Sequence, residues 1–170
     1  MRNVAFAAGL TVVVALVGVR VAADSPQNFV VGGGHHSVPD TEFTLSAHSG
    51  PLGENRKGQL TFKSDGGERY LIDVTCMYVV GNEAVATGVI MHPSSAIGQP
   101  VVMHAVDNGN PSGDVPDLLR FSFNNGGISA TYAGVGPVPP SEQDLTGCLF
   151  PTLPPVPVTQ GNIEVHAAQP

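Results

Sequence analysis

Apolar and polar residues alternate along this chain in short stretches, and the longest such stretch covers residues 70–92. Gly81-Asn82 interrupts it, and glycine at the first position of a two-residue loop favours a type II′ hairpin turn. Closure at this loop puts one almost entirely apolar face toward a core and a mixed face opposite it. The predicted cross-strand pairs are Val80 with Glu83, Tyr78 with Val85, Cys76 with Thr87, Val74 with Val89 and Ile72 with Met91.

Shorter stretches with a period of two lie on both sides of this hairpin. Residues 42–49 alternate cleanly, with Phe43, Leu45 and Ala47 on the inward face. Residues 101–106 are apolar on both faces, which indicates a central, well-covered strand. Further strands are predicted at residues 28–38, 59–63, 119–123, 128–132 and 161–166.

These strands, with no segment of sustained helical periodicity, predict an all-β domain. Consecutive hairpins favour a small antiparallel β-barrel of about eight strands in mostly meander order, with a β-sandwich as the alternative. Seven of the fifteen prolines lie between Pro137 and Pro157. The proline-rich segment 134–160, before the last strand, is therefore expected to form little regular pairing and to lie against the domain.

The first 23 residues are expected to be a signal peptide rather than part of the domain. Arg2 lies in a short n-region, an apolar run follows, and residues 21–23 provide small side chains for cleavage before Asp24. An uncleaved membrane anchor is the alternative, but the run is short for a spanning helix. We therefore expect a secreted, extracellular protein with a single domain at 24–170 and no stable membrane insertion after cleavage.

The charge of the chain limits its partners. Seven basic and fourteen acidic side chains give a net charge of −7, and loss of Arg2 and Arg20 leaves five basic side chains and a net charge near −9. Nucleic acid and anionic lipid both attract basic surfaces, so neither is an expected partner. The remaining expectation is an extracellular protein or glycan of unknown identity.

Both cysteines, Cys76 and Cys148, lie in the part expected to be exported. In an oxidising compartment they most simply form one disulfide, which would tie the proline-rich segment to the central hairpin. Two separate thiols are the alternative, because sequence spacing gives no distance. No histidine lies near Cys148 in the sequence, which argues against a catalytic thiol.

Three motifs carry a family resemblance: VTCMYVVGNEA at 74–84, VDNGNPSGDVPD at 106–117 and GNIEVH at 161–166. In these motifs and their order the chain resembles the small secreted bacterial β-domains known as post-COAP domains. The resemblance spans nearly the whole expected mature chain, and the long proline-rich segment departs from it. It implies export and an all-β fold, and it implies no established activity and no catalytic residues.

The loop at 107–117 places several oxygen-bearing side chains on a glycine-containing turn, and oxygen is the ligand atom that Ca²⁺ prefers. The terminal bidentate glutamate of a calcium loop is missing, since Leu119 stands at its place. A plain turn without cofactor is the simpler interpretation, because the same residue types are turn formers. For the calcium alternative, the candidate ligands are Asp107, Asn108, Asn110, Ser112, Asp114 and Asp117.

The histidines give two further candidates. His104 lies within an apolar strand and is expected to be a buried, hydrogen-bonded polar residue. Pairing of the first and last strands would bring His166 toward His35 and His36, which suggests zinc. Adjacent histidines on a strand point to opposite faces, however, so surface histidines are the favoured interpretation.

No nucleophile elbow, phosphate loop or zinc-protease motif occurs in the sequence. The leading hypothesis is a secreted, non-enzymatic binding or structural module, at the cell surface or in the medium, that acts through loops 50–57, 107–117 and 135–160. One alternative is a hydrolase or isomerase that uses a barrel cavity with His104. The other is a small-molecule carrier with an apolar interior.

Overall fold

The computed structural model describes residues 26–37, 40–64, 66–109, 115–123, 128–129, 148–151 and 154–168. Eight antiparallel strands close into a barrel, which confirms the predicted barrel in preference to the sandwich. The barrel strands are β1 (Asn28–Ser37), β2 (Asp40–Ser49), β3 (Lys57–Ser64), β4 (Arg69–Val80), β5 (Glu83–His92), β6 (Pro100–Val106), β7 (Leu118–Phe123) and β10 (Val156–His166). A two-stranded ladder of β8 (Ile128–Ser129) and β9 (Phe150–Pro151) and a 3-10 turn at Ser94–Ala96 are the other regular elements of these residues.

The first seven strands form a meander in which each pairs with the next, and β10 closes the barrel between β7 and β1. β10 starts at Val156, inside the segment expected to be unpaired, so that expectation is wrong at its C-terminal end. Its pairing with β1 runs from Val158 to His166, whereas its pairing with β7 covers only Val156 and Pro157. The barrel is therefore closed mainly through β1.

Several predictions concern residues that the structure does not describe. Residues 1–25, with the expected signal peptide and its cleavage site, lie outside the described residues, and so do residues 130–147 of the predicted eighth strand and proline-rich segment. Within the described residues, no helix is long and apolar enough to cross a membrane.

The central hairpin turns at Gly81-Asn82 as predicted, but its register shifts at Thr75. The three predicted pairs nearest the turn form, and the extra residue then places Val74 opposite Gly88 instead of Val89. A Cβ atom on Gly88 would lie 2.6 Å from a backbone oxygen of the facing strand. This β-bulge therefore depends on the glycine in the middle of β5.

Between the bulge and the turn, the side chains of the hairpin that face the interior are the opposite of those predicted, whereas Ile72 and Val74 face the interior as predicted. Met77, Ala84 and Ala86, predicted for the mixed face, belong to the main buried cluster inside the barrel. Tyr78 and Val85, predicted for the core face, lie in a second buried cluster on the outside of the wall. That part of the prediction is wrong, because a one-residue shift exchanges the two faces of every residue beyond it.

Apolar side chains fill most of the barrel interior. The largest of those that are fully buried there are Val30, Leu60, Ile72, Met77, Ile90, Val101, Met103, Leu119 and Ile163. Outside the wall, Val102 packs with Tyr78 and Val85, and Cys148 and Leu149 lie against them. β6 is thus covered on both faces, as its apolar sequence predicts.

The outer cluster is covered by a segment that the two cysteines attach to the barrel. Cys76 and Cys148 lie at disulfide distance, with Cα atoms 5.1 Å apart. Beside them, Thr87 Oγ1 donates to Leu149 O at 3.0 Å and accepts from Leu149 N at 2.7 Å. Residues 148–149 are therefore fixed to the outer face of β4 and β5.

We expect the purified chain to show no free thiol before denaturation and reduction. A cross-link between residues 72 apart restricts the unfolded chain, so reduction should lower the free energy of unfolding by up to about 4 kcal/mol. Urea unfolding with and without reductant measures the difference, and a Cys76→Ser, Cys148→Ser double variant is the control. Two reactive thiols in the unreduced chain would contradict the pairing.

Candidate functional site

One end of the barrel opens into a mostly apolar pocket of about 160 Å³. This is the end at which β1, β3 and β7 finish and β2 and β4 begin. We call this space the mouth pocket, and it is lined by His36, Thr41, Phe62, Ser64, Tyr70, Arg120, Phe121 and Phe123.

Among the described residues, the barrel wall is incomplete at the end that holds the mouth pocket. β10 begins opposite Leu119, so β7 beyond that residue has no strand partner on that side among the described residues. Pro154 and Pro155 precede β10, and proline has no backbone N–H with which to continue the pairing. Arg120 instead donates from Nε to Pro154 O, which holds the incoming chain at the edge of the opening.

Aromatic rings form the apolar wall of the mouth pocket. The ring centroid of Phe62 lies 4.5 Å from that of Tyr70, 4.9 Å from that of Phe121 and 5.3 Å from that of Phe123. The first two contacts are stacked and the third is edge-on, and each such contact is worth about 0.5–1.5 kcal/mol beyond its buried area. The rings therefore hold one another in place and present a preformed apolar surface.

The polar group of Tyr70 is engaged outside this ring cluster. The hydroxyl donates to Glu68 Oε2 at 2.6 Å. This hydrogen bond, with smaller contributions from desolvation and from the Glu68 charge, raises the pKa of Tyr70. The ring thus contributes a neutral aromatic surface to the pocket, and its proton stays on the rim.

The two adjacent histidines of β1 lie on opposite faces, as predicted. His36 is 3% exposed and lines the mouth pocket, with its ring centroid 6.2 Å from that of Phe43. His35 lies on the outer side of the same strand end, where a polar basin of about 200 Å³ adjoins the mouth pocket. We call it the rim basin; it shares Thr41 and Ser64 with the mouth pocket and is further lined by His35, Asp40, Glu42, Lys63 and Gly67.

The charged groups of the rim basin are paired with one another. His35 Nε2 contacts Asp40 Oδ1, and Lys63 Nζ lies 3.5 Å from Glu42 Oε2. These four side chains are between a third and two-thirds exposed, so each pair is only a weak surface interaction. Each carboxylate of the rim basin, Asp40 and Glu42, is therefore engaged by a neighbouring side chain.

Thr159, His35 and Asp40 have the residue types of a nucleophile, a base and an orienting acid. His35 Nδ1 lies 3.1 Å from Thr159 Oγ1. The Thr159 hydroxyl, however, donates a hydrogen bond to His35 O at 3.0 Å. A hydroxyl held in this way is not activated for attack, and the arrangement instead links β1, β2 and β10 at the rim.

The candidate calcium loop takes part in barrel closure at the opposite end. The Asp117 side chain accepts from Asn108 N at 2.9 Å through Oδ1 and from Ile163 N at 2.7 Å through Oδ2. Asp107 Oδ2 accepts from Val165 N at 3.0 Å. These carboxylates bind β10 beyond the point where its pairing with β7 ends.

The remaining contacts of this loop support the turn interpretation. Asn108 Nδ2 donates to Pro116 O at 2.7 Å, and Gly109 N donates to Asp107 Oδ1 at 2.7 Å. Within the described part of the chain, no group of three His, Cys, Asp or Glu side chains is arranged to hold a metal ion. Calcium binding stays a prediction, since three of its candidate ligands lie outside the described residues: Asn110, Ser112 and Asp114.

His104 lies on the outer face of β6, between the inward-facing Met103 and Ala105. Its side chain is 12% exposed, and its Nε2 is 3.7 Å from Glu83 Oε2. Neither ring nitrogen makes a hydrogen bond to the described residues. Desolvation lowers the pKa of His104, although the Glu83 carboxylate opposes the shift. A histidine in this position faces neither the barrel interior nor the mouth pocket.

We expect the protein to lose stability on acidification through His104. A folded-state pKa below the unfolded value of about 6.5 means that the unfolded chain takes up the proton first, so the free energy of unfolding falls as the pH drops through that value. Urea unfolding of the wild type and of His104→Gln between pH 8 and pH 5 measures this contribution. The variant should lose less stability than the wild type over this range, and parallel pH profiles would contradict the expectation.

The register of β1 and β10 contradicts the hypothesis that His35 or His36 binds zinc together with His166. The first and last strands do pair, but His166 lies opposite Phe29, with the two rings stacked at a centroid distance of 4.9 Å. His35 lies opposite Gln160, at the other end of the barrel. The antiparallel register therefore separates the histidines that the hypothesis brought together.

The alternation of the sequence places Phe62, Phe121 and Phe123 on inward faces of their strands, where apolar residues ordinarily pack. The positions of these aromatic residues along their strands nevertheless indicate a cluster at one end of the barrel. In a meander barrel, the ends of odd-numbered strands and the starts of even-numbered strands lie at the same end. Phe62, Tyr70 and Phe123 all occupy such positions, so an aromatic cluster at one mouth follows from the topology.

Comparison with known proteins adds no assignment. No protein-family model, curated protein or solved structure matches this chain. The resemblance to post-COAP domains therefore stays a prediction from the sequence motifs.

Proposed function

We propose that this protein is an exported, non-enzymatic binding protein that holds a small apolar molecule in the mouth pocket. The observation that supports this proposal is an open, aromatic-walled pocket of about 160 Å³ at one end of an otherwise filled barrel. Small barrels of eight strands have room for one small ligand where side chains leave space. The proposal thus combines two hypotheses from the sequence, a non-enzymatic binding module and a small-molecule carrier.

The pocket volume limits the part of the ligand that can enter. An apolar cavity of about 150 Å³ holds one benzene molecule, so a pocket of about 160 Å³ takes roughly one ring. A long acyl chain would have to extend into the barrel, where Leu60, Met103 and Leu119 are fully buried and fill the interior. A compact aromatic ligand fits this space better than a lipid.

The chemistry around the pocket supports binding rather than catalysis. A catalyst needs a positioned base with a partner within reach of the substrate. At the rim, His35 and Lys63 are engaged by neighbouring carboxylates, and His104 lies on the outer face of the wall. His36 lines the pocket, with its ring beside the apolar ring of Phe43. Export rests on the N-terminal 23 residues of the sequence and on the cysteine pair, which is typical of oxidising compartments.

Toluene titration followed by backbone amide NMR tests the proposal. We expect saturable binding with a dissociation constant in the range of about 0.1–1 mM, as is reasonable for a ligand of about seven heavy atoms. Phe121→Ala should weaken binding about fivefold to tenfold, because it removes one ring of the wall.

Phe29→Ala is the matched control, since it removes a phenylalanine of β1 that stacks on His166 at the opposite end of the barrel. Its affinity for toluene should equal that of the wild type. Absence of saturable shifts in the wild type, or an equal loss of affinity in the two variants, would contradict the proposed function.

A further inference from the structure

We infer that the mouth pocket selects a neutral, hydroxyl-bearing aromatic molecule, with the ring among Phe62, Phe121 and Phe123 and the hydroxyl at the threshold between the mouth pocket and the rim basin. This inference rests on the proposed function and names the class of its ligand. The observation that supports it is that the apolar mouth pocket and the polar rim basin share two residues with hydroxyl side chains, Thr41 and Ser64.

The threshold between the two spaces consists of Thr41 and Ser64, which line both. Thr41 is 4% exposed and is the first residue of β2 after its exposed start, and Ser64 is the last residue of β3. The two are directly paired across β2 and β3. Both residues contribute a hydroxyl group to the boundary between the mouth pocket and the rim basin, and Ser64 Oγ also donates to Glu68 O at 3.5 Å. A hydroxyl group can both donate and accept a hydrogen bond.

The paired charges of the rim basin disfavour charged relatives of such a ligand. The Lys63 ammonium lies opposite the Glu42 carboxylate, and His35 Nε2 contacts the Asp40 carboxylate. Arg120, a cation that lines the mouth pocket, donates from Nε to Pro154 O at the edge of the opening. A charged substituent that enters the rim basin would have to displace one of these partners, and would gain only another exposed ion pair in its place. A neutral hydroxyl needs no such exchange, and it can form a hydrogen bond with Thr41, which is 4% exposed.

The volume supports a single ring with a short substituent. The mouth pocket accepts roughly one benzene ring. The adjoining rim basin, of about 200 Å³, gives a substituent on that ring room to extend beyond the threshold. Benzyl alcohol is therefore the simplest probe of the inferred class, and toluene is its counterpart without the hydroxyl.

The test compares four probes on the full chain at pH 7: toluene, benzyl alcohol, benzylamine and benzoate. We expect benzyl alcohol to bind several-fold and up to about tenfold more tightly than toluene, as one hydrogen bond allows. Benzylamine and benzoate, both charged at this pH, should bind more weakly than benzyl alcohol. Tightest binding of either charged probe would overturn the inference.

Thr41→Val removes the buried hydroxyl and keeps the branched shape of the side chain. In this variant the advantage of benzyl alcohol over toluene, measured as the ratio of their dissociation constants, should disappear. If Thr41→Val does not fold, Ser64→Ala, which removes the less buried of the two hydroxyl groups, tests the same preference for benzyl alcohol over toluene.

The outcomes separate the two proposals. Binding of toluene with no preference for benzyl alcohol, or a preference that survives loss of both hydroxyls, overturns the inference and leaves the proposed function intact. Failure of toluene and benzyl alcohol to bind at all overturns the proposed function, and the inference with it.

Discussion

Gly161→Ala is expected to lower the free energy of unfolding by more than about 3 kcal/mol, because it strains the backbone of β10 and also forces a side chain into the contact between β10 and β1. Gly161 has φ +101°, a conformation that costs an L-residue about 1–3 kcal/mol. A Cβ atom there would also lie 2.1 Å from Gly33 O and 2.5 Å from Gly34 Cα, so β10 would have to move away from β1. Since β10 closes the barrel mainly through β1, urea unfolding should show a large loss of stability or no folded population.

Two other glycines separate the causes of this effect. Gly67 has φ +76° and nothing within 4 Å of a built Cβ, so Gly67→Ala tests the backbone conformation alone. Gly34 has no left-handed conformation, but its Cβ would lie 2.1 Å from Gln160 O, so Gly34→Ala tests the close approach alone. Gly67→Ala should be much the mildest of the three variants. Comparable losses in Gly67→Ala and Gly161→Ala would contradict a role for close strand contact in closure.

Asp117→Ala is expected to lower the free energy of unfolding by about 3–5 kcal/mol, since it removes two hydrogen bonds to a charged acceptor. Asp117 is 7% exposed, and the backbone N–H group of Ile163, from which it accepts a hydrogen bond, is buried. Loss of the carboxylate leaves that N–H without its partner at a point where water cannot easily replace it. For a domain of this length, such a loss corresponds to a drop of roughly 10 °C or more in melting temperature.

Asp107→Ala is the matched control for this prediction. Its carboxylate also accepts two backbone N–H groups, from Gly109 and Val165, but the residue is only half-buried. Water can therefore replace part of what is lost, and the cost should be clearly smaller than for Asp117→Ala. Equal unfolding midpoints for wild type and Asp117→Ala, in calcium-free buffer, would contradict the closure role of this side chain. A rise in melting temperature on addition of calcium would favour the metal-loop alternative.

The barrel could be predicted from sequence because its signals are local. Alternation of apolar residues, together with the Gly81-Asn82 turn, specifies the strands and the nearest three pairs of the central hairpin. The bulge at Thr75 could not be predicted by alternation alone, since it goes with a close approach of Gly88 to the backbone of Asp73 on the facing strand. A glycine inside an otherwise regular strand was the signal available.

The mouth pocket depends on non-local features and was therefore harder to predict. Its ring cluster joins β3, β4 and β7, and its opening depends on where β10 begins relative to Leu119. The predicted start of the last strand, at residue 161, is too late to show this, although the pair Pro154-Pro155 marks the true limit of pairing. The carboxylates of the acidic loop are likewise identified in the sequence, but their backbone partners on β10 appear only once the barrel is closed.

The most direct test of the binding account is the position of bound toluene in the folded protein. Intermolecular NOEs on isotope-labelled protein saturated with toluene report which side chains lie within about 5 Å of the ligand. The account predicts NOEs to the rings of Phe62, Phe121 and Phe123 and to the methyl group of Thr41. NOEs confined to the outer cluster around Tyr78 and Leu149, or no intermolecular NOEs at saturation, would contradict it.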